Sequence, residues 1–323
     1  MTTWLVTGGA GYIGAHVVRA LVADGYGAVV YDDLTTGRAD FVPAAVPMVS
    51  DTILNTDRLA ATLREFDCAG VIHVAGYKYA GVSVQRPVHT FTQNLTGTAS
   101  VLTAMAQADV SRLVFSSSAA IFGTPSDDVV TEDSAQRPES PYGESKLAAE
   151  WLINDVVRAS ETFTAVSLRY FNVVGSDTDA VYDASPHNLF PLVIEALLAG
   201  RTPRINGTDY PTPDGTCVRD YIHVGDLAIS HVAAAKAMAA GTGLQVAYNL
   251  GSGDGSSVAE IMSAIARVTG VDFTPEIAAR RPGDPARIVA NGDAAARDID
   301  WKMRYTLDEM VSSAWSARQA HQS

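Results

Sequence analysis

The chain has 323 residues, 47% of them hydrophobic, which is enough to bury one large core or two modest ones. Its formal charge of −13, from 36 acidic side chains against 23 lysines and arginines, disfavours nucleic acid and anionic membranes as partners. The two cysteines lack metal-ligand spacing, so no metal site is predicted. We also expect a cytoplasmic protein, because no signal peptide is recognised and the apolar runs are shorter than the ~18 residues of a membrane span.

Strand-like and helix-like segments alternate through the first half of the chain. Strands are predicted over residues 4–9, 28–33, 70–76, 112–118 and 164–175. Helices are predicted directly after the first strand, over 58–66, from about 91 to 108, and in the stretch that begins with residues 140–146. Short apolar strands separated by helices indicate parallel β-α-β units. From about residue 174, shorter elements alternate with loops rich in proline and glycine. The sequence therefore predicts an α/β fold, with a doubly wound parallel (Rossmann-type) sheet over residues 1–173 and a smaller α/β domain over 174–323.

A glycine-rich turn, TGGAGYIG at residues 7–14, follows the first strand and opens the first helix. Gly8, Gly11 and Gly14 have the spacing that allows a tight turn, a close backbone approach to a pyrophosphate and close packing of helix on sheet. The helix N-terminus also offers unpaired N–H groups to an anion. This context predicts a dinucleotide site.

Two acidic positions can complete that site. Asp32 ends the second strand, where a carboxylate can accept both adenosine ribose hydroxyls and repel a 2′-phosphate, so NAD is favoured over NADP. The neighbouring Asp33 and Arg38 leave both the identity of the ribose ligand and the cofactor preference open. Asp51 is predicted to lie near the adenine or to cap a helix.

The stretch SPYGESK, residues 140–146, places a phenol and an ammonium on one helix face. Ser140 and Pro141 predict a helix start, so Tyr142 and Lys146 lie one turn apart. A neighbouring cation lowers the pKa of a phenol, which would make Tyr142 a base. The alternative is an ordinary surface pair. Ser118, at the carboxyl end of a predicted strand and 24 residues before the tyrosine, favours the catalytic interpretation.

These motifs, together with LRYFNVVG, NLFP, DYPTPDGTCVRDYIHVGDLA and RRPGDPA, resemble the UDP-galactose (UDP-glucose) 4-epimerase family of the extended short-chain dehydrogenase/reductase superfamily almost end to end. The resemblance implies that Tyr142 takes the proton of the sugar O4 while hydride leaves C4 for NAD+. Lys146 holds the nicotinamide ribose and, together with the cationic nicotinamide ring, lowers the tyrosine pKa, and Ser118 hydrogen-bonds the reacting oxygen. The 4-keto sugar then turns over and takes the hydride back, so UDP-galactose and UDP-glucose interconvert.

The resemblance also assigns binding residues to the N-terminal cofactor domain and the C-terminal UDP-sugar domain. The cofactor residues are Gly8, Gly11, Tyr12, Ile13, Gly14, Asp32, Asp51, Lys78, Asn94, Tyr142 and Lys146. The substrate residues are Ser118, Asn172, Asn188, Leu189, Ile205, Arg219, Arg281 and Asp284. Arg219 and Arg281 match pyrophosphate clamps, and Asp284 matches the group that holds the uridine ribose.

Some positions leave the exact function open. Related dehydratases carry an Asp-Glu pair after the hydroxyl residue, and Ala119 and Ala120 stand there instead, which disfavours elimination. Asn206 replaces an aromatic residue that often lies next to the uracil. Ile288 falls where a tyrosine in some relatives limits room around the sugar, so epimerisation of UDP-N-acetylhexosamines or UDP-uronates is the alternative. A non-enzymatic NAD sensor is a third hypothesis, which the retained Tyr-Lys pair disfavours.

Two further expectations concern histidines and assembly. His73 and His223 lie in apolar, strand-like text and are predicted to be hydrogen-bonded structural residues. The resemblance implies a homodimer, in which helices near residues 91–106 and 142–158 form a four-helix contact.

Overall fold

The computed structural model describes residues 1–281 and 285–321. Its strands are β1 (Thr3–Thr7), β2 (Gly27–Asp32), β3 (Met48–Ser50), β4 (Cys68–His73), β5 (Arg112–Ser116), β6 (Thr164–Tyr170), β7 (Asn172–Val174), β8 (Arg204–Asn206), β9 (Val218–Arg219), β10 (Tyr221–His223), β11 (Ala247–Leu250), β12 (Ser256–Ser257), β13 (Glu276–Ala278) and β14 (Arg287–Ile288).

The α-helices are α1 (Tyr12–Ala23), α2 (Thr56–Glu65), α3 (Ala80–Ser83), α4 (Pro87–Phe91), α5 (Gly97–Gln107), α6 (Pro141–Ala159), α7 (Leu189–Leu198), α8 (Val224–Ala239), α9 (Val258–Thr269), α10 (Asp293–Asp298) and α11 (Leu307–Gln319). Short 3₁₀ segments lie at Ala39–Phe41 and Ala119–Phe122, and a π-helical turn lies at Thr92–Thr96. Among the described residues, no helix combines the length and hydropathy that crossing a bilayer requires.

The central sheet has seven strands in the order β3-β2-β1-β4-β5-β6-β11, and every pairing in it is parallel. Successive strand residues point to opposite faces, so Val6 and Val114 belong to one buried apolar cluster while Leu5 and Leu113 belong to another. Both faces are therefore covered, as a parallel sheet requires. The predicted doubly wound α/β fold is confirmed.

The sheet draws on both halves of the chain. Its edge strand β11 pairs with β6, although β11 lies more than seventy residues beyond the predicted boundary at 173/174. Helix α8 packs on the same face of the sheet as α1, because Leu227 and Val232 share a buried cluster with Val17. The division at 173/174 stays a prediction. The layer formed by the central sheet and its covering helices, the cofactor layer, contains elements from both sides of this division.

Two elements differ from the predicted pattern near the site. The stretch 164–175 is not one strand: β6 ends at Tyr170, and β7 leaves the sheet to pair with β10. The predicted helix from about 91 to 108 is interrupted by the π-helical turn Thr92–Thr96. Such turns often mark functional sites, and this one carries Asn94.

The remaining C-terminal elements form a second layer with its own apolar core. Ile205 of β8, Ile261 of α9 and Val311 of α11 are buried in this core. Helices α9 and α11 each begin with a capping box, Ser257 with Glu260 and Thr306 with Glu309, which satisfies the first N–H groups.

Candidate active site

The glycine turn between β1 and α1 forms a backbone cradle. Gly8 has φ +69°, and a Cβ there would lie 2.7 Å from the backbone nitrogen of Ala75. A Cβ at Gly14 would collide with the carbonyl oxygen of Gly8. The N-cap Gly11 has no side-chain cap and the first turn carries no acid, so the N–H groups of the helix start can bind an anion. The cradle fits a pyrophosphate.

Asp32 lies at the carboxyl end of β2, beside the cradle. Its carboxylate accepts hydrogen bonds from the backbone N–H of Ala10 at 3.0 Å and of Leu34 at 2.8 Å, and burial raises its pKa. Arg38 donates Nε and Nη2 to Asp40 at 3.0 and 2.6 Å, so its guanidinium already holds a carboxylate. This arrangement suits a ribose diol better than a 2′-phosphate.

The start of α6 is formed as the sequence predicts. Pro141 is the first helical residue, and Ser140 Oγ accepts the N–H of Gly143 at 3.2 Å. Gly143 lets the helix approach the 3₁₀ turn after β5 closely, because a Cβ there would collide with the carbonyl oxygen of Ala120. This close approach brings Tyr142 to Ser118.

Ser118, whose Oγ caps the 3₁₀ turn after β5, acts on the Tyr142 phenol as a hydrogen-bonding neighbour. Burial raises the pKa of Tyr142, and the hydrogen bond from Ser118 lowers it by less, so the net direction is upward. The expected lowering of this pKa by Lys146 together with the cationic nicotinamide ring stays a prediction. Removal of the phenol from water outweighs the other influences.

Lys146 is held at one place in the same cleft. Its Nζ donates to the carbonyl oxygen of Ser116 at 2.9 Å and lies 4.8 Å from the centroid of the Phe115 ring. The side chain is 6% exposed. Burial lowers its pKa to about 8, while the nearby Glu150 carboxylate acts in the opposite direction. Lys146 can therefore bind or release a proton near neutral pH.

A buried ion pair supports this end of the sheet. Arg169 donates Nε and Nη2 to Glu150 at 3.1 and 2.7 Å, and both side chains are buried. The Ser117 hydroxyl donates to the same carboxylate. Sequence reasoning missed this pair, although Glu150 continues the Tyr142 and Lys146 face at the same four-residue spacing.

One cleft collects most of the predicted cofactor residues. Those that line it are Gly8, Gly11, Tyr12, Ile13, Gly14, Asp32, Lys78, Tyr142 and Lys146. Tyr170 also lines the cleft and was missed. Its ring centroid lies 6.3 Å from that of His231, whose Nε2 is 2.8 Å from Ser116 Oγ, and no local sequence signal connects these positions.

Asn94 and Asp51 are not among the cleft-lining residues within the described chain. Asn94 is buried in the π-helical turn, where its Oδ1 accepts the N–H of Tyr77 at 2.7 Å and its Nδ2 donates to Ser145 at 2.8 Å. It thereby positions the loop that carries Lys78. Asp51 accepts the N–H of Thr52 at 2.7 Å, which is a local turn contact. Their cofactor roles stay predictions.

Four of the predicted substrate residues, Asn172, Asn188, Leu189 and Ile205, belong to the elements that follow β6. Asn172 donates its N–H and its Nδ2 to the carbonyl oxygen of Asp220, both at 3.1 Å, and joins β7 to the end of β9. Asn188 donates Nδ2 to Asp183 at 2.9 Å. Leu189 and Ile205 pack in the apolar core of the second layer.

The charged substrate residues differ in environment. Arg219 is half-buried and donates Nη1 to the carbonyl oxygen of Val218 at 2.9 Å. Arg281 is exposed, and Asp284 lies outside the described residues. Ile288 is buried with Phe122 and is part of a small apolar cluster. The binding roles of these residues stay predictions.

Both singled-out histidines are hydrogen-bonded and buried, which confirms the structural interpretation. His73 lies 2.7 Å from Thr7 Oγ1 and 3.1 Å from Thr98 Oγ1, and burial lowers its pKa to about 3. His223 lies 3.0 Å from Ser313 Oγ, and burial lowers its pKa as well. Neither histidine is among the described residues that line the cleft.

Known proteins match this sequence and this fold closely. The model of the NAD dependent epimerase/dehydratase family matches residues 4–251. A UDP-glucose 4-epimerase of Azospirillum brasilense is 41% identical over 97% of this chain and 90% of its own. The UDP-glucose 4-epimerase of Brucella ovis, solved in complex with NAD, superposes with a TM-score of 0.93 at 38% identity over 98% of both chains.

A second solved structure is similar in the same way. The UDP-glucose 4-epimerase of Stenotrophomonas maltophila, with bound NAD and formylated UDP-arabinopyranose, has a TM-score of 0.94 at 35% identity and covers 99% of this chain and 98% of its own. Because the family model and these relatives extend over most or nearly all of its length, this chain belongs to the NAD-dependent epimerase/dehydratase family, and within it to the UDP-glucose 4-epimerases.

Proposed function

We propose that this protein is an NAD-dependent UDP-glucose 4-epimerase that interconverts UDP-galactose and UDP-glucose. The observation that carries the proposal is that Tyr142 and Lys146 line one cleft with the glycine cradle, while the neighbouring Ser118 hydroxyl acts on the phenol. When bound, NAD+ supplies a hydride acceptor for C4 of the sugar and the donor for its return, so the overall reaction is redox-neutral.

Tyr142 moves the proton in this proposal. Its phenol oxygen takes the proton of the sugar O4 and returns it when the hydride comes back. Ser118 donates a hydrogen bond to the phenol oxygen and stabilises the phenolate. Burial alone raises the pKa of Tyr142, so the base needs a nearby cation. A cationic nicotinamide ring and the ammonium of Lys146 both have the required sign.

The residues after Ser118 favour epimerisation over dehydration within the family. Ala119 and Ala120 form the start of the 3₁₀ turn Ala119–Phe122, so the turn presents methyl groups where an acid would be needed to expel water. Without a proton donor and acceptor at this position, elimination lacks its catalyst. Return of the hydride to C4 is then the favoured outcome.

We also propose that Arg219 and Arg281 bind the UDP pyrophosphate, with Asp284 at the uridine ribose and Asn172, Asn188, Leu189 and Ile205 around the nucleotide. Support for this comes from the Stenotrophomonas maltophila relative, whose structure holds formylated UDP-arabinopyranose. Two guanidinium groups would locally offset the net charge of −13 that otherwise repels an anionic substrate.

The test is turnover by purified protein without added reductant. UDP-galactose, UDP-N-acetylgalactosamine and UDP-galacturonate are assayed side by side, and product formation is followed by nuclear magnetic resonance. We expect the highest kcat/KM for UDP-galactose. Tyr142→Phe should lower the rate at least ~10²-fold and keep NAD bound, because it removes only the proton-transfer group. A fully active Tyr142→Phe, or no turnover of any sugar by the wild type, would contradict the proposal.

We propose in addition a cytoplasmic homodimer. Trp151, on the predicted contact helix α6, is 59% exposed, and Val88 on α4, which packs against α6, is 80% exposed, so apolar side chains project from α6 and from its neighbour. Both cysteines are free thiols, which suits a reducing compartment. Trp151→Glu should shift the mass measured by light scattering from dimer to monomer, whereas Ile277→Glu, at an exposed apolar site elsewhere, should not.

A further inference from the structure

A segment of the C-terminal half forms one wall of the cofactor cleft. Tyr182, Asp183, Ala184 and Ser185 line the cleft opposite the glycine cradle and the loop after β2. The chain reaches this position from β7, which belongs to the second layer. We call residues 181–185 the strap, because this segment lines the cleft and contacts elements of both layers.

The strap is anchored on the cofactor layer by apolar and aromatic contacts. Val181 is fully buried in a cluster with Phe41 and Tyr12. The ring of Tyr182 meets Phe41 edge to face with 5.5 Å between centroids, and its hydroxyl accepts a hydrogen bond from Arg38 Nη1 at 3.3 Å. These contacts join the strap to the segment that follows Asp32, the predicted ribose ligand.

The other side of the same ring is anchored on the second layer. The guanidinium of Arg318, on α11, lies 5.2 Å from the centroid of the Tyr182 ring, and the imidazole of His321 lies 4.6 Å from it. Tyr182 thus contacts both layers at once. Because Arg38, Arg318 and His321 contact it together with the Phe41 ring, displacing the strap requires breaking all of these contacts.

Ser185 carries a polar group that the protein itself does not satisfy. The side chain is 4% exposed, and within the described residues its Oγ has no hydrogen-bond partner. Its backbone N–H donates to Asp183 Oδ1 at 3.0 Å, and the other oxygen of Asp183 accepts Nδ2 of Asn188 at 2.9 Å. A buried hydroxyl without a partner, on the wall of a ligand cleft, indicates a partner on the ligand.

We propose that Ser185 is a cofactor-binding residue. Its hydroxyl donates a hydrogen bond to a phosphate or ribose oxygen of the dinucleotide, and Tyr182 holds the strap closed so that the cofactor stays bound between turnovers. The proposal rests on the proposed function, in which each catalytic cycle returns the cofactor to its starting state and retention is therefore useful. Both residues act on binding and retention, and neither takes part in proton or hydride transfer.

The test measures cofactor exchange on the holoprotein. Purified protein is mixed with excess isotopically labelled NAD+, and the bound fraction is followed by mass spectrometry. Ser185→Ala should raise the dissociation rate constant about tenfold, the loss expected for one hydrogen bond in a buried site. Tyr182→Ala should raise it about tenfold or more, and Tyr182→Phe, which keeps the ring contacts, by less than about threefold. Ser126→Ala, at an exposed serine outside the cleft, is the matched control.

A second measurement separates binding from folding. Cofactor-free Ser185→Ala should melt at the same temperature as the wild type or higher, because it removes an unsatisfied buried hydroxyl, whereas the rise in melting temperature on adding NAD+ should be smaller. Equal exchange rates for Ser185→Ala and the wild type, or a lower melting temperature of the cofactor-free variant, would overturn the proposal. If the wild type retains no NAD, the proposed function is refuted as well. If the wild type has full turnover and neither Ser185→Ala nor Tyr182→Ala exchanges NAD+ faster, only the proposal about the strap is refuted.

Discussion

Replacing Lys146 by methionine should stabilise the cofactor-free protein while it abolishes turnover. Burial lowers the pKa of this lysine from 10.5 to about 8. At about 1.36 kcal/mol for each tenfold change in the protonation equilibrium, this corresponds to about 3 kcal/mol by which the folded state disfavours the ammonium. Methionine has a similar length and no charge, so it removes this penalty.

The sign of the effect depends on pH. Below pH 8 the lysine is protonated in both the folded and the unfolded chain, so the whole penalty destabilises the wild type. Between pH 8 and 10.5 the folded chain loses its proton first and the penalty shrinks, and above 10.5 it is absent because both states are neutral. The gain of Lys146→Met should therefore be largest at pH 7 and vanish near pH 10.5.

The assay is thermal unfolding of cofactor-stripped protein at pH 7 and at pH 10. For a chain of 323 residues, about 3 kcal/mol corresponds to a rise in Tm of about 4 °C. Lys302→Met, at an exposed lysine, should change Tm by less than about 1 °C. A lower Tm for Lys146→Met at pH 7, or a difference that does not depend on pH, would refute the reasoning.

Two further predictions concern the support of the site. Glu150→Gln should lower the free energy of unfolding by about 3 kcal/mol in urea titrations, because the buried charge of Arg169 would lose its charged partner. Glu144→Gln, at an exposed position of the same helix, should change it by less than about 0.5 kcal/mol. Gly14→Ala should weaken NAD+ binding in calorimetry by at least about tenfold, since its Cβ collides with the cradle backbone; Gly243→Ala, in open space, should not. Equal values for variant and control would contradict either prediction.

The sheet and the positions of Ser118, Tyr142 and Lys146 could be predicted because their signals are local. Strand and helix periodicity, the glycine spacing and the SPYGESK helix start each lie within about ten residues. Parallel strands then bring their carboxyl ends to one edge, which places Ser118 and the glycine turn together without further information.

The parts that were missed depend on contacts distant in sequence. The edge strand β11 joins the sheet through pairing with β6, and Tyr182 contacts Arg38 across 144 positions. Neither contact leaves a local pattern. The effect of burial on the pKa of Tyr142 could not be predicted for a different reason, since the spacing to Lys146 is visible in the sequence and the burial of the phenol is not.

The central claim is that hydride leaves C4 of the sugar and returns to the same carbon on the opposite face, with Tyr142 moving the proton. The most direct measurement uses UDP-glucose deuterated at C4, purified protein and no added cofactor, with the UDP-galactose product examined by nuclear magnetic resonance. The account predicts that the product keeps its deuterium at C4 and that Tyr142→Phe forms almost none of it. Loss of the label to solvent would mean that C4 is deprotonated instead, and would contradict the account.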